Sequence, residues 1–248
     1  MDFTDAYNSP KLYDAESDII CEDIEFWKKV IENNTPQSLL EIGCGTGRIA
    51  KAIITEKINY TGIDLSENFL KYFRDTLSEH TKKHIKLIEG DARLYKFDEK
   101  FDLIILPINF ISHIHNNQEL EQLFKNLRSA LSKNGRIIID YFNPQIRFLD
   151  MSIKNQYCFS FYLDGEEIKA YETHNYNELH QINHIERKYI SNTKAIKIIH
   201  LPMRIYFKNE LEYIIKKSGL SISEVYGNYS FDVVYDYCDR LIYVLTLT

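Results

Sequence analysis

Five short apolar runs fall between Ser38 and Phe142: "SLLEI", "NYTGID", "HIKLIEG", "FDLIIL" and "RIIIDYF". Runs that are apolar throughout, with no polar residue at every second place, belong to strands covered on both faces, and such strands joined by helices form a parallel sheet. The stretches between them supply the helices. "RIAKAIITE" follows the first run, and "SENFLKYFRDTL" follows the second, capped by Ser66 with Phe69, Leu70, Phe73 and Leu77 on one face. "QELEQLFKNLRSALSKNG" places Leu120, Leu123, Phe124, Leu127 and Leu131 on a single stripe and is expected to stop at Gly135. Ahead of the first run, Ile20, Ile24, Trp27 and Ile31 recur at helical spacing and "NNTP" supplies a stop. The fold class is α/β.

After Pro144 the pattern changes. From Gln156 to about Arg204 the segments "YCFSFYL", "EIKAYETH", "LHQINHIERKYI" and "KAIKIIHLPMRIY" read as strands, separated by Asp164-Gly165 and Ser191-Asn192-Thr193. Alternation with hairpin turns predicts an antiparallel sheet inserted into the first unit. "KNELEYIIKKSGL" then returns as an amphipathic helix ending at Gly219, followed by the strands "SISEVYG" and "RLIYVLTLT". The expected organisation is a helical lid over residues 1–36, a core over 37–145, the inserted sheet over 146–206, and a closing helix with two strands over 207–248.

Thirty basic residues stand against 36 acidic ones, a net charge of −6, and the basic ones are scattered with nothing larger than pairs such as Lys82-Lys83. Binding a nucleic-acid backbone needs clustered Lys and Arg, so no nucleic-acid partner is expected. The four cysteines, Cys21, Cys44, Cys158 and Cys238, form no C-x-x-C pair and read as free thiols. "MDFTDAYNSP" lacks a signal-peptide core, and the longest apolar runs are too short for a membrane span. These features predict a cytoplasmic protein without a membrane partner.

"LLEIGCGTGRIA" carries glycines at every second position, Gly43, Gly45 and Gly47, between a strand and a helix. Such a loop turns tightly and brings backbone close to a ligand, or is simply a turn. Three carboxylates stand at neighbouring strand ends: Glu41, Asp64 in "YTGID", and Asp91 in "EGDA". They suit a cationic or donor-rich ligand and suit a pyrophosphate poorly, because like charges packed together are costly. Asp64 fits a ribose contact ahead of the alternative of capping the next helix, and Asp91 fits a ligand contact or a turn.

In order and spacing, "LLEIGCGTGRIA", "YTGIDLSENFL", "LIEGDARLY" and "KFDLIILPINFISHI" resemble the motifs of class I S-adenosylmethionine-dependent methyltransferases, over about Leu39 to Asp140. The segment "LPMRIYFKNELEYIIKKSGLSISEVYGNY" after a hairpin-rich insert extends the resemblance to small-molecule members such as amino-sugar N-methyltransferases and glycine N-methyltransferase-like enzymes. The resemblance implies a Rossmann-like fold with a mainly parallel seven-stranded sheet, helices on both faces and the inserted sheet as acceptor cover or homodimer interface. It implies S-adenosylmethionine as cofactor and S-adenosylhomocysteine as product. Backbone around Gly43, Cys44 and Gly45 would approach the methionine portion, with Glu41 near its amino group. Asp64 would hold the ribose hydroxyls and Leu65 would line the adenine pocket. Asp91 and the N–H of Ala92 would read the adenine edge, and the Leu106 carbonyl would face the methionine amine. Tyr13 resembles an N-terminal aromatic that closes over the cofactor, or packs only against the first helix.

Methyl transfer from a sulfonium is an in-line displacement in which the enzyme mostly places its reactants. A general base is needed only where the acceptor arrives protonated. His113, in the loop after the fourth strand, is the candidate base, or else a surface residue or one that only backs the groups touching the ligand, with Asn109 and Tyr141 nearby. Its neighbour His115 suggests no metal, since no third ligand is near in sequence. Tyr171, His184, Arg187, Arg204 and Tyr206 are candidates for acceptor contact. "LPIN" stands where nucleic-acid amino-methyltransferases carry Asn/Asp-Pro-Pro-aromatic, so the expected acceptor is a small molecule, methylated at nitrogen or oxygen. Two alternatives remain at this point. One is a nicotinamide-dependent oxidoreductase, whose fingerprint wants its third glycine at the position of Arg48; the other is a methyltransferase-like domain serving as a non-catalytic binding or scaffold protein.

Overall fold

The computed structural model describes residues 9–19, 21–149, 153–192 and 194–248. Two helices open it, α1 (Pro10–Ser17) and α2 (Glu22–Asn34). The alternating unit follows as β1 (Ser38–Ile42), α3 (Arg48–Ile53), β2 (Asn59–Asp64), α4 (Glu67–Thr76), β3 (Ile85–Glu89), β4 (Phe101–Leu106), α5 (Asn117–Ala130) and β5 (Leu131–Phe142). After a single helical turn, α6 (Ile146–Leu149), come β6 (Gln156–Leu163), β7 (Glu166–Asn177), β8 (Ile182–Ser191) and β9 (Lys194–Arg204). The chain closes with α7 (Lys208–Lys217), β10 (Leu220–Tyr226) and β11 (Arg240–Leu247).

Seven strands form one sheet in the order β10-β11-β5-β4-β1-β2-β3. The pairs β4–β5, β1–β4, β1–β2 and β2–β3 are parallel, and β11 runs antiparallel to both β5 and β10. Because β1 lies between β2 and β4, the connections leave it in opposite directions, and a crevice opens beyond its carboxyl end. Successive residues of the central strands serve opposite faces. Leu39, Leu103 and Ile138 pack with Trp27, Val30, Ile49 and Phe73, while Leu40, Ile104 and Ile139 pack with Leu120, Leu127, Leu211 and Ile215. Full burial of each such side chain stabilises the fold by roughly 1.5–3 kcal/mol, and this two-sided core makes the strand ends a rigid platform.

The four remaining strands form a separate antiparallel sheet, β6-β7-β8-β9. Asp164 (φ 50°) and Gly165 (φ 85°) both take the left-handed conformation, as a two-residue hairpin turn requires. Asn192 is also left-handed, at φ 46°; Thr193 lies outside the described residues. The inner face of this sheet, including Phe161, Ile168, Ala170, Tyr189 and Ile199, packs against Leu12 of α1. No helix among the described residues is long and apolar enough to cross a membrane.

Two elements differ from expectation. The helix forecast to reach Gly135 ends at Ala130, and Leu131 already pairs with Phe101 as the first residue of β5. Gly135 instead sits where a Cβ would stand 2.8 Å from the Phe101 carbonyl oxygen, so it marks a close approach of two strands and not a helix stop. The N-terminal region holds two helices where one was expected. The buried face of α2 is Asp23, Phe26, Trp27 and Val30, with Ile24 and Ile31 half-buried at its margin; Ile20 lies outside the described residues.

Candidate active site

The crevice beyond β1 is a hollow of about 560 Å³, within the range that holds a small molecule or cofactor. The glycine loop forms its floor. Gly43, Gly45 and Gly47 adopt φ of 69°, 53° and 80°. A Cβ on Gly43 would stand 2.5 Å from the Phe110 ring, and one on Gly45 would point toward Tyr13 and Phe69, at 3.8 and 3.6 Å. Both rings at Gly45 line the hollow, so the missing Cβ leaves open the space a ligand needs. The N–H groups of Gly43 and Cys44 are bonded to the Ile63 carbonyl at 2.8 and 3.2 Å, which ties the loop to β2.

Asp64 ends β2, binds the backbone on either side of the crevice and faces the hollow. Its Oδ1 accepts from the Ser66 N–H at 2.8 Å and its Oδ2 from the Gly45 N–H at 2.9 Å, while the residue lines the hollow. Each oxygen keeps further acceptor capacity. Burial raises its pKa. Glu41 is 2% exposed and accepts from the Tyr60 hydroxyl at 2.7 Å. Desolvation outweighs that bond and pushes its carboxyl up to about 8. Asp91 lines the hollow too, but Arg93 grips it, with Nε 2.9 Å from Oδ1 and Nη2 2.5 Å from Oδ2, and holds its carboxyl below the usual range. Arg93 also pairs with Glu119.

Tyr13, Cys44, Leu65, Ala92 and His113 complete the predicted residues on the wall. Tyr13 falls on α1 and packs on Phe69 with ring centroids 5.0 Å apart. Leu65 is 62% exposed at the rim, and Cys44 is buried beneath the loop. His113 belongs to a 3-10 turn, Phe110–His113, and desolvation with the neighbouring His115 lowers its pKa to about 4. It is therefore neutral over the physiological range.

Leu106 is the exception. It is fully buried inside the core and does not line the hollow; Pro107 and Ile108, the next two residues, do. The residues proposed for acceptor contact are also elsewhere. Among the described residues none from 146–206 lines the hollow, so the inserted sheet does not roof it. Arg187 pairs with Glu172 across β7 and β8 and with Glu16 of α1. Arg204 pairs with Glu210, and the Tyr206 hydroxyl donates to the Ile114 carbonyl at 2.7 Å. His184 and Tyr171 occupy cross-strand positions opposite Pro202 and Lys188. Tyr141 is buried, accepting from the Tyr206 N–H at 2.8 Å, and Asn109 is bonded to Phe142 and Arg240. The His115 ring contacts the Pro202 carbonyl at 2.8 Å.

Several wall residues were not foreseen. Thr46 is 1% exposed, and its hydroxyl is a buried polar atom without a hydrogen-bond partner among the described residues. Its place inside the glycine loop was the available signal. Phe69, on the apolar face of α4, and Phe110, in the turn after β4, reach the hollow through packing that their spacing in the sequence does not signal. Arg48 lines the hollow while forming a two-pronged pair with buried Asp23, at 3.0 and 2.5 Å. That pair joins residues 25 positions apart, beyond the reach of any local pattern.

Residues 39–135 match the family described as methyltransferase domain. The Bacillus subtilis (strain 168) protein YqeM, described as a methyltransferase, is 24% identical over 155 residues, 58% of this chain and 62% of that one. The dTDP-3-amino-3,4,6-trideoxy-alpha-D-glucopyranose N,N-dimethyltransferase of Streptomyces venezuelae is 25% identical over 113 residues, 45% of this chain and 46% of that one. The chain thus spans less than two thirds of the length of these curated relatives. The crystal structure of an S-adenosylmethionine-dependent methyltransferase from Clostridium acetobutylicum ATCC 824 has a TM-score of 0.74 at 20% identity, covering 95% of this chain and 96% of that one. Residues 39–135 are thus similar to a methyltransferase domain, and the chain has the fold of the S-adenosylmethionine-dependent methyltransferases.

Proposed function

We propose that this protein transfers a methyl group from S-adenosylmethionine to a nitrogen or oxygen of a small molecule. The observation that carries the reading is the convergence of the left-handed glycine loop, Asp64 and Asp91 on one hollow. The donor set fits the cofactor. Asp64 gives the wall a carboxylate suited to a cation with hydroxyl and amine donors, Glu41 can ionise beside such a cation, the bare Gly45 leaves room for it, and the Thr46 hydroxyl has no hydrogen-bond partner among the described residues. When bound, S-adenosylmethionine supplies an activated methyl group on a sulfonium.

Each residue then has a defined task. Gly45 and Thr46 receive the amino-acid end of the cofactor. Asp64 accepts from the ribose hydroxyls with the lone pairs that Gly45 and Ser66 leave free. Glu41, neutral at pH 7 because burial pushes its carboxyl up to about 8, ionises beside an ammonium group because a nearby cation favours the charged form. Asp91 acts mainly through Arg93, since the guanidinium takes much of its hydrogen-bonding capacity.

His113 stays neutral in this wall and can accept a hydrogen bond from an incoming amine or hydroxyl. With a pKa of about 4 it is too weak to remove a proton from an ammonium, so an amine acceptor enters as the free base. The relative acting on an amino sugar favours nitrogen as the methylated atom. The oxidoreductase alternative gains no support, since Arg48 stands in the glycine position and is paired with Asp23. Calorimetric titration with S-adenosylmethionine and S-adenosylhomocysteine, followed by turnover against amines and hydroxy compounds, tests the proposal. Absence of heat with both ligands, from folded protein, overturns it; binding without turnover on any acceptor favours the scaffold alternative.

A further inference from the structure

Ile108 and Asn109 both lie in the left-handed region, at φ 43° and 59°. A β-branched residue there is an outlier, because its Cβ crowds the backbone. Strain of this kind persists only where the surroundings enforce it. The enforcing groups form one cluster just outside the hollow. Asp140, on β5 and fully buried, accepts the Ile108 N–H at 3.1 Å and the Tyr229 hydroxyl at 3.0 Å through Oδ2, while its Oδ1 pairs with Arg240 at 2.5 Å. Its backbone carbonyl takes the Asn109 N–H at 3.0 Å. Arg240 also donates to Asn109 Oδ1 at 3.1 Å, and the same oxygen accepts from the Phe142 N–H at 2.8 Å. The Tyr229 ring stacks over the Arg240 guanidinium at 5.1 Å.

The strained pair opens directly into the 3-10 turn Phe110–His113. Ile108, Phe110 and His113 line the hollow, whereas Asp140, Arg240, Tyr229 and Asn109 do not. Whatever fixes the pair therefore fixes how far Phe110 reaches toward Gly43 and where the His113 ring stands. We infer that Asp140, with Arg240 and Tyr229, is a positioning unit that holds the loop after β4 in a strained turn and thereby sets His113 and Phe110 against the reacting group. The assignment to a reacting group rests on the methyltransferase reading above; the control of His113 by Asp140 does not. An uncompensated carboxylate at this depth would be costly, and no residue of the unit touches the hollow, so support of the turn is the task that its hydrogen bonds define.

The test follows the His113 ring by NMR during pH titration of Asp140→Asn and Tyr229→Phe, with S-adenosylhomocysteine affinity measured alongside. In the wild type the ring is expected to titrate near 4, because burial and the neighbouring His115 disfavour its charged form. Each variant is expected to raise that midpoint by about one pH unit or more, as the ring relaxes toward water, and to weaken S-adenosylhomocysteine binding by a few-fold, since Ile108 and Phe110 line the same hollow. Adding Ile108→Gly to Asp140→Asn is expected to bring the midpoint back, because glycine takes the left-handed conformation without strain. If Asp140→Asn does not fold, Tyr229→Phe decides, since it removes one hydrogen bond and leaves the ion pair. An unchanged His113 midpoint in the folded variants, or no return of the midpoint on adding Ile108→Gly, overturns the inference. Failure of the wild type to bind S-adenosylhomocysteine overturns the cofactor reading instead and leaves the His113 measurement interpretable.

Discussion

Asp64 bonds two backbone N–H groups, those of Gly45 and Ser66, while it faces the hollow. One carboxylate thus shapes the loop and offers acceptors to a ligand. Replacing it by alanine removes both effects, so Asp64→Ala is expected to weaken S-adenosylhomocysteine binding by at least about 1–3 kcal/mol, read by calorimetry. Unchanged affinity would remove the ribose assignment. Glu41 makes a different demand, on pH. Its folded pKa of about 8 lies far above the ordinary carboxyl value. Between those two values the unfolded chain has released a proton that the folded chain keeps, so stability falls as pH rises through that window, by at most about 1.4 kcal/mol per pH unit. In Glu41→Gln this component is absent. Urea unfolding from pH 5 to 8 should show the variant gaining on the wild type with each step upward, and a constant difference would refute the raised value.

At the scale of elements, boundaries set by local chemistry were legible and boundaries set by neighbours were not. Ser66 caps α4 through its side chain to the Phe69 N–H, as its place before "ENFL" suggested. The end of α5 is another matter. "SALSKNG" contains good helix formers up to a glycine, but Leu131 leaves the helix to pair with Phe101, a residue 30 positions earlier. The role of Gly135 follows from that pairing. Gly135→Ala would press a methyl group on the Phe101 carbonyl at 2.8 Å and on Leu131 at the same distance. Overpacking of this sort costs about 1–3 kcal/mol, whereas an exposed helix-stop glycine replaced by alanine would cost less. Chemical denaturation of the variant separates the two. The site divides along the same line: Gly43, Gly45, Asp64 and Asp91 stand at strand ends and could be found by counting, while Phe110, Arg48 and Thr46 reach the hollow through turns and pairings that no period reveals.

In the whole molecule, the inserted sheet meets the cofactor side through α1, a helix the periodicity did not separate from α2. Leu12 enters the sheet's inner core, Tyr13 points into the hollow, and Glu16 pairs with Arg187 and accepts from the Tyr189 hydroxyl. Three residues within one turn thus link two sheets, which is why α1 could not be read from either half of the sequence alone. The link is electrostatic and partly buried. Burial raises the Glu16 pKa, while Arg187 and His174 hold Glu172 down to about 2. Removing Glu16 leaves Arg187 with Glu172 as a remaining partner, so the loss should fall below the roughly 3–5 kcal/mol of a fully orphaned buried charge, at about 2 kcal/mol. Because the same helix carries Tyr13, Glu16→Ala should also weaken S-adenosylhomocysteine binding several-fold, although Glu16 does not line the hollow. Urea unfolding and calorimetry on Glu16→Ala and Arg187→Met check both effects together. A stability loss without any change in affinity would mean that α1 braces the inserted sheet but does not transmit that brace to the hollow.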